Sequence, residues 1–160
     1  MAISKFRLTF LLLAIIVFGY HFFNLISLWS TIPSKIAIHF TNDTPDQWGS
    51  KYVLFILLFL SFLIWYFMNL LIKYLIKSPH KMNYINLTEA NKTTQFVRSQ
   101  KMVILLQFCI FICLIFANEA LLNYSADLNH TIAFSISLTF LGLCVILPFY
   151  NLFWAARLNY

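Results

Sequence analysis

The chain has 160 residues, of which 61% are hydrophobic and only 10% are charged, whereas an average soluble domain has about 25% charged residues. This composition excludes an ordinary soluble domain, because there is too little polar surface to cover a water-soluble globule. The net charge of +6 would suit a nucleic-acid-binding protein. The basic residues lie between apolar runs, however, and we expect no nucleic acid partner.

Four apolar runs are each long enough to cross a membrane, which takes about 20 residues in a helix. They do not alternate as the strands of a membrane barrel do, so we expect helices with internally paired backbones. The first run follows Lys5 and Arg7, as a signal peptide would, but it continues past Gly19 without a cleavage site, which favours an uncleaved span. The sequence thus predicts one domain over residues 1–160, an all-α integral membrane protein with four transmembrane helices. The predicted spans are residues 8–29, 52–75, 102–122 and 131–154.

The basic residues predict the topology. Nine of the eleven Lys and Arg residues lie before the first run, between the second and third runs, or after the fourth run. Only Lys35 and Lys51 lie in the first loop, residues 33–51. The positive-inside rule therefore places both termini and the second loop, residues 76–101, in the cytoplasm, and the first loop outside. The lipid bilayer is a predicted partner, with its anionic headgroups near the basic residues.

The first loop has a mixed local pattern. Apolar residues alternate over residues 36–40, which indicates either a short strand or an extended segment lying flat among the headgroups. Residues 42–45 have the composition of a turn, and Gly49 permits a tight bend. Ser50 suits the N-cap of the second helix, and Lys51 is expected to extend from the first turn of that helix to water.

The second loop separates the second and third helices. Pro79 ends the second helix, and the third is predicted to begin near Asn86, which has capping-box spacing to Glu89, or at Thr88. From there to Leu122 the sequence has no Pro or Gly. A helix of about 35 residues would be about 52 Å long, roughly 20 Å longer than the hydrocarbon core is thick. Its first part is therefore predicted to extend into the cytoplasm.

Polar residues within membrane spans are energetically costly and are functional candidates by default. The candidates nearest the first loop are His21, Asn24, Asn118 and Glu119. They could form the floor of a pocket, covered by the first loop, that binds a cation, a peptide or a lipid headgroup. Alternatively they are structural: Asn24 bonds a neighbouring helix, Glu119 pairs with Lys35 or Lys51, and the first loop packs as a cap.

Catalytic and metal-binding sequence patterns are absent. The chain has no GxSxG, HExxH, GxxxxGK[ST] or dinucleotide-binding motif, which favours a non-enzymatic protein over an enzyme or transporter with dispersed polar residues. It also lacks zinc-ligand spacing and an EF-hand pattern. His39, Asp43, Asp46 and Glu119 offer oxygen ligands and one imidazole, but without such spacing we predict neither a metal nor a cofactor.

The first loop carries the sequence IPSKIAIHFTNDTPDQWGSK, which resembles the signature of a bacterial membrane family called domain of unknown function 1648. The family pattern runs from a proline to His-Phe, a turn, Pro-Asp, and Trp-Gly-Ser-Lys before a helix. In this chain the turn is shorter and lacks the family's glycine. The matching positions are Pro33, His39, Phe40, Pro45, Asp46, Trp48, Gly49, Ser50 and Lys51.

The second loop is also similar to family members, over the segment SPHKMNYINLTEANKTTQF. The four-span layout extends the likeness over most of the chain. The matching positions in the second loop are Pro79, Asn83, Tyr84, Thr88, Asn91, Gln95 and Phe96.

The resemblance implies a multi-pass protein of the bacterial cytoplasmic (inner) membrane. The same domain occurs in the immunity protein that protects sporulating bacilli from their own secreted peptide toxin. It therefore implies an immunity or signalling role in which the first loop contacts an extracellular peptide or partner protein. The alternatives are a small structural or stabilising subunit of a larger membrane assembly and, third, a membrane enzyme or transporter. The family pattern names no catalytic residue.

Overall fold

The computed structural model of the protein describes residues 3–42 and 44–159. Four long helices and one two-stranded sheet follow one another along the chain. All four helices are long and apolar enough to cross a membrane, with mean hydropathies from 2.1 to 2.4, as expected for a multi-pass membrane protein. The elements are α1 (Ile3–Leu28), β1 (Lys35–Thr41), β2 (Thr44–Ser50), α2 (Val53–Lys77), α3 (Lys92–Ser125) and α4 (Thr131–Ala156), with short 3-10 helices at Pro79–Lys81 and Arg157–Asn159.

Helix α3 is the centre of the bundle. Half of its most apolar stretch is buried, against 11% to 17% for the other three helices, and α1, α2 and α4 each pack against it. The three outer helices therefore keep most of their apolar side chains exposed, as lipid-facing helices do. Helix α3 is also the longest, with 34 residues, or about 51 Å, close to the length predicted from the sequence.

The apolar core continues from the bundle into the first loop. Leu25 of α1, Leu54 of α2 and Leu122 of α3 are fully buried, and they belong to one cluster with Ile32 and Ile36. Burial of an isoleucine side chain contributes about 1.5–3 kcal/mol. The first loop is therefore packed onto the end of the bundle rather than extended into solvent.

The first loop folds into an antiparallel β-hairpin, so the expectation of a purely α-helical protein is wrong there. Strands β1 and β2 pair from Lys35–Ser50 to Thr41–Thr44, which confirms the strand interpretation of residues 36–40. The turn after Thr41 is short, and such turns require positive φ angles. Asn42 has a φ of 49°, a conformation that Asn tolerates better than most residues.

Gly49 serves close packing rather than a bend. It lies within β2, and its φ is not in the positive region, so the predicted tight bend is wrong. The pairing is irregular around Ile38, which falls between the paired positions Ala37 and His39. The side chain of Ile38 lies over Gly49, where an added Cβ would be 3.0 Å from both the Cδ1 and the Cγ2 atoms of Ile38.

The structure also corrects the ends of α2 and α3. Helix α2 begins at Val53, and Tyr52, the residue before it, forms no side-chain capping bond. Ser50 is the last residue of β2, but its hydroxyl oxygen accepts from the backbone N of Tyr52 at 3.4 Å, as an N-cap side chain would. Helix α3 begins at Lys92, after a turn in which Thr88 N donates to Asn91 Oδ1 at 2.9 Å and Asn91 N donates to Thr88 Oγ1 at 3.3 Å. The helical turn therefore starts at Thr88, with Asn91 in the role predicted for Glu89.

We expect Gly49→Ala to destabilise the protein by about 1–3 kcal/mol, because the added methyl group overpacks the contact with Ile38. Removal of the half-exposed Ile38 side chain should make room, so that the double variant Ile38→Ala/Gly49→Ala is more stable than the sum of the single changes. The free energy of unfolding in mild detergent measures both effects. Gly142→Ala is the control, since its Cβ would meet nothing within 4 Å. Equal losses for the two glycines would contradict this packing.

Candidate functional site

Four polar side chains within the helices form one network beneath the hairpin. His21 Nδ1 lies 2.5 Å from Glu119 Oε2, and Asn24 Nδ2 donates to Glu119 Oε1 at 2.8 Å. His21, Asn118 and Glu119 are at most 2% exposed. The sequence-derived candidates His21, Asn24, Asn118 and Glu119 are therefore brought together, but they bind one another instead of lining an open pocket.

Asn118 defines the proton positions in this network. Its Nδ2 atom lies 2.9 Å from both the backbone oxygen of Leu54 and Nε2 of His21. The Leu54 carbonyl can only accept, so the amide nitrogen must face it, and His21 Nε2 then accepts the second amide proton. The proton of the His21 ring consequently lies on Nδ1 and is donated to Glu119. Asn118 Oδ1 is buried without a hydrogen-bond partner.

The expected pairing of Glu119 with a lysine is wrong. In the part of the chain that the structure describes, Glu119 contacts no Lys or Arg, and its side-chain partners are His21 and Asn24. Lys35 is exposed on β1, and Lys51 binds elsewhere. The prediction that Asn24 bonds a neighbouring helix is confirmed, because Asn24 on α1 donates to Glu119 on α3.

Lys51 ties the end of the hairpin to the end of α1. Its Nζ atom donates to the backbone oxygens of Trp29 at 2.9 Å and Ile32 at 3.3 Å, and it lies 4.4 Å from the centre of the Trp29 ring. Trp29 and Ile32 follow Leu28, the last residue of α1, and their carbonyl oxygens accept charge-assisted hydrogen bonds from the Lys51 ammonium group. The expected extension of Lys51 to water is therefore wrong.

A polar clasp fixes the tip of the hairpin. Asp46 accepts from Thr41 Oγ1 at 2.6 Å and lies 2.6 Å from His39 Nδ1, while Thr44 Oγ1 donates to the Thr41 carbonyl. The Thr41 hydroxyl, followed by His39, lowers the pKa of the Asp46 carboxyl below its ordinary value. Asp43, another of the four residues considered as metal ligands in the sequence, lies outside the described residues. Glu119 belongs to the buried network instead.

An apolar groove of about 540 Å³ lies where the hairpin meets α3 and α4. The Phe40 ring meets the Tyr124 ring edge-on at 5.0 Å, and the Tyr124 ring meets His130 at 5.2 Å. We call this cavity the hairpin groove. Its walls include Phe40, Ala117, Ala120, Tyr124, His130 and Phe134.

The residues of the first-loop motif divide into two groups. Gly49, Ser50 and Lys51 belong to the base of the hairpin, where they determine packing and attachment. Apart from Pro33, which precedes β1, the others lie nearer its tip or on its surface: Trp48 is 60% exposed and Phe40 is 39% exposed. Pro45 pairs with Phe40 across the hairpin, and His39 and Asp46 form the clasp.

The residues of the second-loop motif form structural contacts within the second loop and with the start of α3. The Tyr84 hydroxyl donates to the Pro79 carbonyl at 2.7 Å, and the Tyr84 ring packs 5.0 Å from Phe96. Asn91 bonds Thr88 as described above and also donates to the Asn86 carbonyl. These contacts connect α2 to α3. Gln95 is buried and donates to the Ile85 carbonyl and to Asn91 Oδ1, each at 3.1 Å. Asn83 is exposed.

Comparison with known proteins gives one match. Residues 8–62 match the model of a family described as Domain of unknown function (DUF1648). This range covers most of α1, the hairpin and the beginning of α2, and it includes His21, Asn24 and every first-loop candidate. No curated protein and no solved structure matches the chain.

Glu119→Ala should destabilise the protein by about 2–4 kcal/mol, because it leaves the His21 ring and the Asn24 amide without their buried acceptor. Glu119→Gln should cost less, since its remaining carbonyl oxygen still accepts one of those bonds. Ser125→Ala is a matched control on the same helix, because among the described residues the Ser125 hydroxyl bonds only the Leu121 carbonyl of its own helix. The three variants are compared by their free energies of unfolding in detergent. Equal values would show that the network contributes nothing to stability.

The hairpin tip should lose stability in acid. A carboxyl whose pKa is lowered on folding contributes its full stabilisation above the ordinary value of 3.8. That contribution disappears as the pH falls below 3.8 towards the pKa of the folded state. Thr41→Val removes the strongest hydrogen bond to Asp46, so its pKa should rise towards 3.8. Titration of the Asp46 carboxyl ¹³C shift tests this, and an unchanged midpoint in Thr41→Val would contradict the assigned cause.

Proposed function

We propose, from the match of residues 8–62 to the DUF1648 family model, a non-enzymatic membrane protein of the immunity or signalling type whose hairpin binds an extracellular peptide. The observation that carries the proposal is the position of two exposed aromatic side chains, Phe40 and Trp48, on a hairpin beside an apolar groove of about 540 Å³. Binding sites are concave and mostly apolar with a few polar groups.

The attachment of the hairpin supports this role. Ile36 is buried against the bundle, Lys51 binds the end of α1, and Asp46 joins the two strands near the tip. A surface fixed before binding loses little conformational entropy when a partner docks. Exposed aromatic residues on such a surface are the usual centres of binding energy.

The shape of the site favours an extended apolar peptide. A two-stranded hairpin has two strand edges with backbone groups free to pair, and an extended peptide can add to such an edge. Phe40 lies on β1 and also lines the hairpin groove. A peptide along this strand would therefore place apolar side chains next to the Phe40, Tyr124 and Phe134 rings.

We infer the orientation from the charge distribution. The hairpin end carries two of the eleven basic residues, Lys35 and Lys51, whereas the opposite end carries the rest. By the positive-inside rule both termini lie in the cytoplasm and the hairpin faces outward from a bacterial cytoplasmic membrane. A secreted peptide would reach the hairpin groove before the hydrocarbon core.

A photocrosslinking amino acid in place of Trp48 tests the proposal in intact cells of the native host. We expect crosslinks to a secreted peptide, identified by mass spectrometry, and only lipid adducts from a matched probe at Phe153, which is 69% exposed on α4. Crosslinks to a large membrane protein at Phe153, with none at Trp48, would instead indicate a subunit of a larger assembly. Lipid adducts alone at Trp48 would refute peptide binding.

Trp48→Ala and Phe40→Ala should each weaken binding of the captured peptide by at least about tenfold, as the loss of a central aromatic contact typically does. Phe153→Ala, which removes a still more exposed ring far along α4, should leave the affinity unchanged. Isothermal titration in detergent or nanodiscs gives the dissociation constants. An affinity unaffected by both hairpin variants would exclude this surface.

A further inference from the structure

A second groove, of about 440 Å³, lies at the end of the bundle opposite the hairpin, where the first turns of α3 meet the last turn of α4. We call it the basic groove. Two cationic side chains, two hydroxyls and one indole ring contribute to its walls. They belong to Arg98, Lys101, Thr93, Thr94 and Trp154.

Arg98 is held in place by α4. Its Nε atom donates to Asn151 Oδ1 at 3.2 Å, and its guanidinium carbon lies 3.8 Å from the centre of the Trp154 ring. Within residues 3–42 and 44–159, its two terminal nitrogens have no hydrogen-bond partner. A guanidinium group fixed in this way keeps its planar pair of donors available, and that geometry matches two oxygens of a phosphate.

The other polar groups of the basic groove complement an anion. Lys101 lies three residues after Arg98 on the same helix, so their side chains are neighbours, and among the described residues no acidic side chain lines the groove. Across the described ranges, Lys101 forms no salt bridge; its Nζ atom lies 5.8 Å from the centre of the Phe6 ring. Thr93 and Thr94 are exposed, and their hydroxyls can donate to phosphate oxygens.

The surroundings favour a lipid over a free anion. Tyr150 and Phe153 of α4 are 58% and 69% exposed next to the groove, so an acyl chain would find an apolar surface there. Trp154 lies near the end of α4, and tryptophan is enriched where transmembrane helices reach the membrane–water interface. We propose that the basic groove binds the phosphate of an anionic phospholipid, with Arg98 and Lys101 as its ligands and the acyl chains along α4.

Native mass spectrometry of the full chain with added phosphatidylglycerol or phosphatidylcholine of the same acyl chains tests this site. We expect tighter binding of phosphatidylglycerol and a loss of about fivefold in Lys101→Gln, since each basic residue contributes that factor near an anionic surface. Arg98→Gln should lose at least as much. Lys81→Gln is the control, because Lys81 lies outside the groove on the exposed 3-10 helix at the same end.

Three outcomes would overturn the proposal. Equal affinity for the two lipids would remove the role of the anionic headgroup, and an equal loss in Lys81→Gln and Lys101→Gln would indicate diffuse charge attraction. Displacement of the lipid by millimolar inorganic phosphate would identify a free anion as the ligand. Because Lys101 makes no hydrogen bond within residues 3–42 and 44–159, Lys101→Gln should fold normally, which its unfolding temperature verifies.

Discussion

The buried contact between His21 and Glu119 is the constraint on which the hairpin end of the molecule depends. It joins α1 to α3, and Asn118 extends it to the first turn of α2 through the Leu54 carbonyl. Interhelical hydrogen bonds in membranes contribute modestly, about 0.6 kcal/mol on average. Removal of one member costs more, because the partners then stay buried without a bond. The network therefore specifies which helix faces meet.

This constraint also positions the hairpin, since the hairpin connects α1 to α2. The network holds the ends of these two helices at a fixed separation, and Lys51 closes the gap between the strands and α1. Gly49 and Ile38 then set how the two strands pack on each other. Part of the Trp-Gly-Ser-Lys sequence is thus structural, while Trp48 remains exposed. A hairpin fixed in this way can present Phe40 and Trp48 in one geometry to a partner.

The sequence predicts the helices well because the apolar runs are long and the bilayer permits few alternatives. It predicts the hairpin less well, since β2, with the sequence TPDQWGS, has little intrinsic strand character and forms by pairing with β1. The candidates His21, Asn24, Asn118 and Glu119 were found because polar residues are rare in spans. The sequence does not predict their mutual bonds, because a lysine is the usual partner of a glutamate. Tyr124, His130 and Phe134 were missed, since the hairpin groove exists only when α3, α4 and β1 pack together.

Hydrogen–deuterium exchange tests most directly whether the buried network supports the hairpin. The backbone amides that pair β1 with β2 should be protected in the wild-type protein, and in Glu119→Ala they should exchange faster as a group. The amides of residues 92–100 at the far end of α3 should keep their protection. Unchanged protection of the paired β1 and β2 amides in that variant would contradict the account, because the hairpin would then be stable without the His21–Glu119 contact.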